Sequence, residues 1–176
     1  MKKYEFTGET KQINLLFRTA TLHRIRAVVE FGLVKIGDLG GWIEKEENLS
    51  HDGKAWVWDN AKVCGDAEVW DNAKVCGDAE VCGDAKVCGD AEVFSASHVL
   101  VIGAIGSRND FTTFFRDKDG EITVKCGCFL GKIDRFLEKV ASTHGNSKYA
   151  LVYRAAVEVA KLQIDLTGEA PEMDEE

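Results

Sequence analysis

A short polar turn, Gly106-Ser107-Arg108-Asn109-Asp110, is the part of the sequence best suited to bind an anionic ligand. A turn of small residues leaves backbone N–H groups and the Ser107 hydroxyl free to donate to an anion. Arg108 could make bidentate contacts with a phosphate, and Asn109 and Asp110 could contact sugar hydroxyls or a base edge. The alternative interpretation is a capping turn whose polar groups satisfy the backbone of the preceding element. The sequence leaves both interpretations open.

The residues just after this turn extend the candidate ligand site. Thr112, Thr113 and Arg116 supply two hydroxyls and a second guanidinium within a short stretch of chain. Three phenylalanines lie among them and could stack on a base, although at least one of the three must be core: Phe111, Phe114 and Phe115. We therefore expect a ligand site formed by polar residues between 107 and 116.

Cys126-Gly127-Cys128 places two thiols on one side of a predicted strand, and with His144 they could form an incomplete metal site. Because a zinc site needs four ligands and no fourth is evident, we expect buried thiols in a hairpin core and no metal. The turn that begins at His144 either connects two helices or borders the ligand pocket, and the sequence does not decide between these. We expect no cofactor and no catalytic residue.

The elements that must position these residues begin with a six-residue repeat. From Ala55 the chain reads AWVWDN, AKVCGD, AEVWDN, AKVCGD, AEVCGD, AKVCGD, AEVFSA. Alternating inward alanine and valine predict a short strand, and the Gly-Asp or Asp-Asn pair after it tolerates a left-handed turn. Three units predict a triangular coil of 18 residues, and stacked coils pair their strands in parallel. Lysine and glutamate alternate before successive valines, so stacking places opposite charges over each other.

This repeat resembles the hexapeptide-repeat family of left-handed parallel β-helices. We therefore expect a mainly β fold: a short left-handed parallel β-helix of about three coils, an N-terminal cap and a small C-terminal α+β domain with a hairpin and two helices. The predicted boundaries are 1–48 for the cap and first winding, 49–104 for the β-helix, 105–168 for the C-terminal domain and 169–176 for a disordered acidic tail.

The two helices are predicted from apolar residues spaced as on one buried helix face. The first face is Ile133, Phe136, Leu137 and Val140, and the second is Tyr149, Val152, Tyr153, Ala156, Val157 and Ala160. Gly145 lies between them and is typical of a helix end.

Composition and charge narrow the class of protein. The formal net charge is −8, and residues 49–98, with four lysines and ten acidic side chains, argue against wrapping a nucleic-acid polymer. No apolar run approaches the length of a membrane span, and the N-terminus lacks the apolar stretch of a secretory signal. We expect a cytoplasmic protein whose six cysteines are reduced.

The segments outside the repeat extend the resemblance. G-D-L-G-G-W-I-E-K-E-E-N-L-S before it, with I-G-S-R-N-D-F-T-T-F-F-R and C-G-C-F-L-G after it, resemble uncharacterised hexapeptide-repeat proteins of phages and prophages. That resemblance implies a fold and a setting inside a bacterial host, and it brings no established reaction.

Together these features predict a non-catalytic, phage-borne protein that sequesters a small anionic, nucleotide-like ligand in an anti-defence role. Outward Trp58 and Trp70 predict a homo-trimer, or a multiple of it, with the ligand at inter-subunit sites. Two alternatives stay open. The hexapeptide family implies a coenzyme A-dependent acyltransferase, with His51 or His98 as the general base. An architectural or protein-inhibitory module would act through the acidic face of the coils.

Overall fold

The computed structural model describes residues 1–169. The acidic tail predicted for 169–176 lies outside them, apart from Glu169. The described chain is mainly β, with both parallel and antiparallel sheets and two helices at its C-terminal end. No helix in this part of the chain is both long and apolar enough to cross a membrane.

The N-terminal part is a long antiparallel hairpin, which the sequence analysis did not predict. Its strands are β1 (Tyr4–Leu15) and β2 (Arg18–Ala27), and β2 pairs with the short strand β3 (Leu39–Ile43). The hairpin turn contains Leu16 and Phe17, which are 88% and 93% exposed. These residues lack the Asn-Gly chemistry that usually marks a two-residue turn.

Seven two-residue strands follow at the predicted six-residue spacing: β4 (Trp56–Val57), β5 (Lys62–Val63), β6 (Glu68–Val69), β7 (Lys74–Val75), β8 (Glu80–Val81), β9 (Lys86–Val87) and β10 (Glu92–Val93). They pair in parallel with strands 18 residues away, so the chain winds in coils with three faces, β3-β5-β8, β4-β7-β10 and β6-β9. Trp42 pairs in parallel with Lys62, so β3 extends one face of the coils ahead of the repeats.

The repeat alanines and valines fill the inside of the coils. Every alanine from Ala55 to Ala91 and every valine from Val57 to Val93 in the repeat is at most 1% exposed. Burying one valine side chain is worth about 1.5–3 kcal/mol relative to leaving it exposed. At the corners Asp59, Asp71 and the glycine of each Cys-Gly-Asp unit have positive φ, which confirms the predicted left-handed turns.

The charges on the coils stack in the predicted order. Lys62 lies over Glu80 and Lys74 over Glu92, and both form ion pairs, the second at 3.1 Å. Glu68 is in register with Lys86, but these two side chains form no ion pair. Each exposed pair contributes only a few tenths of a kcal/mol, roughly, so the pairs favour the register more than they add stability.

The stacking of the coils brings repeat cysteines together, and two of them are oxidised. Cys64 and Cys82 lie on consecutive coils with their Cα atoms 4.7 Å apart and form a disulfide. The expectation of reduced thiols is wrong for this pair, because coil stacking brings them within bonding distance. Cys76 and Cys88 are free and buried on the other two faces, and burial raises their pKa to about 11 and about 12.

Both ends of the coils are covered by other parts of the chain. At the first coil, Tyr4 of the hairpin and Phe31 of the following loop pack against the edge of Trp56. At the last coil, Phe115 joins the coil core and Thr113 accepts a hydrogen bond of 3.0 Å from the backbone N–H of Lys86. These contacts fix the C-terminal sheet on the coils.

The C-terminal unit is a four-stranded antiparallel sheet with two helices packed on it. Its elements are β11 (Val99–Ile105), β12 (Asp110–Arg116), β13 (Ile122–Cys126), β14 (Phe129–Lys132), α1 (Ile133–His144) and α2 (Lys148–Gln163). β12 and β13 form the predicted hairpin. Gly145 ends α1 with a positive φ of 55°, as predicted. Val152 was predicted on the buried face of α2 and is instead 40% exposed.

Candidate ligand-binding cleft

A cleft of about 300 Å³ lies where the β11–β12 turn, the β13–β14 turn and the last turns of α1 meet. Polar residues line part of it: Ser107, Arg108, Asp110, Lys139, Thr143 and His144. Its apolar and aromatic part is formed by Phe129, Phe136, Val140 and Tyr153. The structure therefore brings three residues of the predicted polar turn together with residues more than 30 positions away in the sequence.

The β11–β12 turn is fixed by backbone conformation and by a close contact. Gly106 and Asn109 have positive φ of 74° and 50°. A Cβ at Gly106 would lie 1.9 Å from the hydroxyl oxygen of Tyr153, so only glycine allows the turn to pack on α2. This packing presents Ser107 and Arg108 to the cleft, while Asn109 is exposed beside it.

Arg108 is an exposed cation with no partner in the described chain. It forms neither an ion pair nor a side-chain hydrogen bond with any residue of 1–169. A Cβ added at Gly127 would lie 3.2 Å from one terminal nitrogen of Arg108, so the guanidinium lies close to that glycine. Lys139 adds a second cation to the lining and Asp110 one carboxylate. The cleft can therefore offer bidentate hydrogen bonds to an anion.

The two thiols of Cys126-Gly127-Cys128 lie beside this guanidinium, but they do not share one side of a strand. Gly127 has a positive φ of 54° and turns the chain between β13 and β14. Cys126 is half-buried and Cys128 is exposed, so the prediction of two buried thiols is wrong. No group of His, Cys, Asp or Glu within residues 1–169 is arranged to hold a metal ion.

Tyr153 supplies a hydroxyl to the wall of the cleft. Its oxygen accepts a hydrogen bond from the Cys126 thiol at 3.9 Å, and the Cys126 sulfur in turn accepts one from the Thr112 hydroxyl at 3.3 Å. Burial raises the pKa of Tyr153 to about 12, so this phenol stays neutral and can donate a hydrogen bond. The His144 ring lies with its centroid 5.8 Å from that of Tyr153. His144 thus both ends α1 and borders the cleft.

The other predicted site residues lie elsewhere. Thr112 is fully buried behind Cys126, and Thr113 contacts the coils instead of the cleft. Arg116, at the opposite end of β12, is 7% exposed; its guanidinium lies 4.7 Å from the centroid of the Phe94 ring and donates to the Gly168 carbonyl. The length of β12 and the alternation of its side chains separate these residues from Ser107.

The three phenylalanines that were candidates for stacking on a base lie in different surroundings. Phe114 and Phe115 are fully buried, which confirms that at least one of the three is core. Phe111 is 38% exposed and lies against Gly103, where a Cβ would be 2.1 Å from its ring. None of these rings lines the cleft.

The candidate general bases are placed poorly for catalysis. His98 is 2% exposed, and its Nδ1 accepts the backbone N–H of Phe94 at 3.3 Å. Burial lowers the pKa of His98, and the nearby Arg116 lowers it further. His51 stacks on Tyr4 with ring centroids 4.4 Å apart, and its Nδ1 accepts the backbone N–H of Lys3. Both histidines therefore support the fold.

Trp58 and Trp70, the predicted subunit contacts, are half-buried on different faces of the coils. Trp58 packs against the coil core, and Lys125 lies over the Trp70 ring at 6.0 Å from its centroid. An interface through both residues stays a prediction.

A larger depression, about 680 Å³, lies beside the loop around His51. Its lining includes five acidic residues and no lysine or arginine: Glu46, Glu47, Asp52, Glu68 and Asp71. An anionic ligand would be repelled there, so the smaller cleft at Arg108 is the better candidate.

No protein-family model matches the chain, and no curated protein matches its sequence.

Proposed function

We propose that the protein is a non-catalytic binding protein that holds a small anionic, nucleotide-like ligand in the cleft at Arg108. The observation that carries the proposal is the unpartnered guanidinium of Arg108 at the edge of a preformed cleft. An exposed arginine beside an apolar pocket, with no internal carboxylate bound to it, is available to a phosphate.

The rest of the lining fits the other parts of such a ligand. Phe129, Phe136 and Val140 offer apolar and aromatic surface to a base. The hydroxyls of Ser107, Thr143 and Tyr153 can hydrogen-bond to a sugar or a phosphate oxygen. A volume of about 300 Å³ is at the lower end of the range for small-molecule sites. The ligand we propose is therefore of about mononucleotide size, or a larger one that extends out of the cleft.

We infer that the coils are a left-handed parallel β-helix. Support comes from three parallel faces, a register of 18 residues and one left-handed corner residue in each of the first six hexapeptides. The helix would serve as a rigid base for the C-terminal sheet that carries the cleft. A trimer through Trp58 and Trp70, with the clefts near subunit junctions, is part of the same proposal.

Titration calorimetry with a panel of mono- and dinucleotides, linear and cyclic, tests the binding claim. We expect binding by wild type and at least a tenfold loss of affinity for Arg108→Ala, because one charge-assisted bidentate contact is worth about 1.5–3 kcal/mol. Arg135→Ala is the matched control, since Arg135 is an exposed arginine on α1 outside the cleft. Equal affinities for wild type and Arg108→Ala would refute the proposal.

Neither alternative function gains support from the geometry. An acyltransferase would need His51 or His98 as an accessible base. The His98 ring is buried and accepts a backbone hydrogen bond, and the His51 ring stacks on Tyr4 and accepts the backbone N–H of Lys3. A module that binds a basic partner through the coils would use carboxylates that partly pair with neighbouring lysines. Salt-sensitive protein binding that survives Arg108→Ala would favour that alternative.

In biological terms, we propose that this is a phage protein and that it sequesters a nucleotide signal of bacterial defence in the host cytoplasm. Its test is the plaque count of a sensitive phage on cells that express wild type or Arg108→Ala. Only wild type should restore infection. The Cys64–Cys82 disulfide is the observation that opposes a cytoplasmic setting, since disulfides persist mainly in oxidising compartments.

A further inference from the structure

Arg116 is a buried cation that the described chain leaves almost unpaired. It is 7% exposed, and its Nη2 donates a hydrogen bond of 3.2 Å to the Gly168 carbonyl. Its Nε and Nη1 are buried and have no hydrogen-bond partner among residues 1–169, and no carboxylate of those residues forms an ion pair with it. A buried charge without a counter-charge is strongly destabilising, so we expect an acidic group to complete this site.

The groups that enclose the guanidinium hold it in place without balancing its charge. The Phe94 ring centroid lies 4.7 Å from the guanidinium carbon. The Gly168 carbonyl accepts from Nη2, and a Cβ added at Gly120 would lie 3.7 Å from the same nitrogen. An aromatic face attracts a cation but carries no net charge, so the ring does not replace a carboxylate.

The titratable groups nearby are also poor partners for this cation. Hydrogen bonds from Thr167 lower the pKa of Asp165, and the charge of Arg116 contributes to the same shift. Asp165 nevertheless accepts hydrogen bonds from the Thr167 N–H and hydroxyl, at 2.8 and 2.6 Å, and forms no ion pair with Arg116. Burial lowers the pKa of His98, with Arg116 as a further cause. The positive charge therefore acts on its neighbours but is not neutralised by them.

An acidic segment of the same chain begins directly at this guanidinium. Ile164 is buried in the core and the Asp165 N–H donates to the Ser97 carbonyl at 3.1 Å, so the chain is held where Gly168 meets Arg116. Residues 170–176, which lie outside the described part of the chain, follow two positions later. They contain four acidic side chains: Glu172, Asp174, Glu175 and Glu176.

The length of this segment suffices for it to return to Arg116. Glu172 is four positions beyond Gly168, and an extended chain spans about 3.3–3.6 Å per residue. A turn within these few residues can therefore bring a carboxylate back to the guanidinium.

We propose that a carboxylate of residues 170–176, which we call the acidic strap, binds the guanidinium of Arg116 and fixes the strap over the end of β12. A carboxylate is the natural partner of a buried guanidinium, because it accepts two charge-assisted hydrogen bonds at once. Composition alone predicts disorder for 169–176, but composition does not include the buried cation beside this segment. Arg116 lies at the opposite end of β12 from the ligand cleft, so the strap and ligand binding are independent claims.

Hydrogen exchange of the Asp165 amide tests the strap, because this amide bonds to Ser97 beside Arg116. The neutral-strap variant is Glu172→Gln/Asp174→Asn/Glu175→Gln/Glu176→Gln. We expect its Asp165 amide to exchange about tenfold faster than in wild type, since local opening no longer breaks a charge-assisted contact. The matched control removes four exposed carboxylates that form no ion pair within residues 1–169: Glu9→Gln/Glu30→Gln/Glu47→Gln/Glu138→Gln. Its exchange at Asp165 should equal that of wild type.

Two further measurements test whether the strap acts through Arg116. In an Arg116→Gln background, the neutral-strap substitutions should leave exchange at Asp165 unchanged. The Arg116 Nε–H signal of a nitrogen-edited NMR spectrum gives a test that needs no change at Arg116. That signal should shift in the neutral-strap variant and stay in place in the control.

Phosphate added to wild type at constant ionic strength distinguishes the strap from a free anion. Exchange at Asp165 should not change, because the strap already occupies the guanidinium.

Four results would overturn the proposal. The first is equal exchange at Asp165 in wild type and the neutral-strap variant. The second is an Arg116→Gln protein that still responds to the neutral-strap substitutions. The third is an Arg116 Nε–H signal that these substitutions do not shift. The fourth is slower exchange of wild type in phosphate, which would show that the site is open to free anions.

Discussion

At the scale of single residues, Glu44 connects the N-terminal hairpin to the coils. Its carboxylate accepts hydrogen bonds from the Arg18 guanidinium of β2 and, at 2.7 Å, from the backbone N–H of Gly65 at a coil corner. The hydrogen bond from Arg18 is the main cause that lowers the pKa of Glu44 to about 2, with a further contribution from Gly65. One side chain thus links three segments that are distant in sequence.

Glu44→Gln should therefore remove a stabilising interaction that depends on pH. Because the folded-state pKa lies below the ordinary value of 4.5, the contribution is complete above pH 4.5 and is lost as the pH falls through about 2. We expect the variant to be less stable than wild type by about 1–2 kcal/mol at pH 7, an amount reduced by solvent screening. Urea unfolding at pH 7 and pH 2 measures the difference.

Glu138→Gln is the control for this series, since Glu138 is exposed on α1 and makes no ion pair in the described chain. The free energy of unfolding of wild type could exceed that of Glu44→Gln by the same amount at pH 7 and at pH 2. That result would show that the carboxylate charge does not stabilise the fold.

Only part of the cleft could be predicted from the local sequence. Local composition singled out Ser107, Arg108 and Asp110, because polar residues after an apolar strand exceed what a turn requires. Lys139 and Tyr153 enter the cleft only because α1 and α2 fold back onto the sheet, and no local pattern specifies that packing. The same packing excludes Arg116, which lies six positions beyond Asp110 at the other end of the extended strand.

At the scale of elements, the corners of the coils depend on residues that accept positive φ. Gly65 and Gly83 occupy the same corner on consecutive coils, with φ of 69° and 70°. A Cβ at Gly65 would lie 3.1 Å from the backbone nitrogen and oxygen of Gly83, whereas a Cβ at Gly83 would meet nothing within 4 Å. The two positions share a backbone conformation and differ in their surroundings.

Gly65→Ala and Gly83→Ala should therefore separate backbone strain from steric crowding. Both alanines cost about 1 kcal/mol because of the left-handed conformation. Gly65→Ala should cost roughly 1 kcal/mol more, because its methyl group crowds the next coil. Thermal or urea unfolding of the two variants measures this difference. Equal stabilities would mean that the coils adjust to the added methyl group at no cost.

The repeat could be predicted closely and the hairpin could not, for a physical reason. Seven copies of one hexapeptide repeat the same inward Ala-Val pattern, so chance deviations in one copy do not obscure the period. The β1–β2 hairpin has a register shift between Phe6 and Thr10 and a Leu16-Phe17 turn. Both features remove the strict alternation and the turn residues by which a hairpin is recognised in sequence.

At the scale of the whole molecule, a stack of coils lies between a hairpin and an α+β unit. The Cys64–Cys82 disulfide closes a loop of 18 residues across two coils. A cross-link of that length should stabilise the protein by about 3 kcal/mol. The sequence could not predict it, because the choice between thiol and disulfide also depends on the compartment.

Thiol titration in denaturant, without reductant, should therefore find four free thiols per chain, those of Cys76, Cys88, Cys126 and Cys128. After reduction the number should rise to six and the unfolding midpoint should fall, while Cys64→Ser should show the lower midpoint with or without reductant. Six free thiols in protein purified aerobically would contradict the disulfide and support the cytoplasmic setting.

The central claim is that the cleft at Arg108 binds a small anionic ligand, and native mass spectrometry tests it most directly. Protein purified gently from a bacterial host is measured first as isolated and then after addition of a panel of nucleotides. We predict one additional mass per chain in the nucleotide range, present in wild type and in Arg135→Ala and absent in Arg108→Ala. Spectra with no bound mass before or after addition, or with the same bound mass in Arg108→Ala, would contradict the claim.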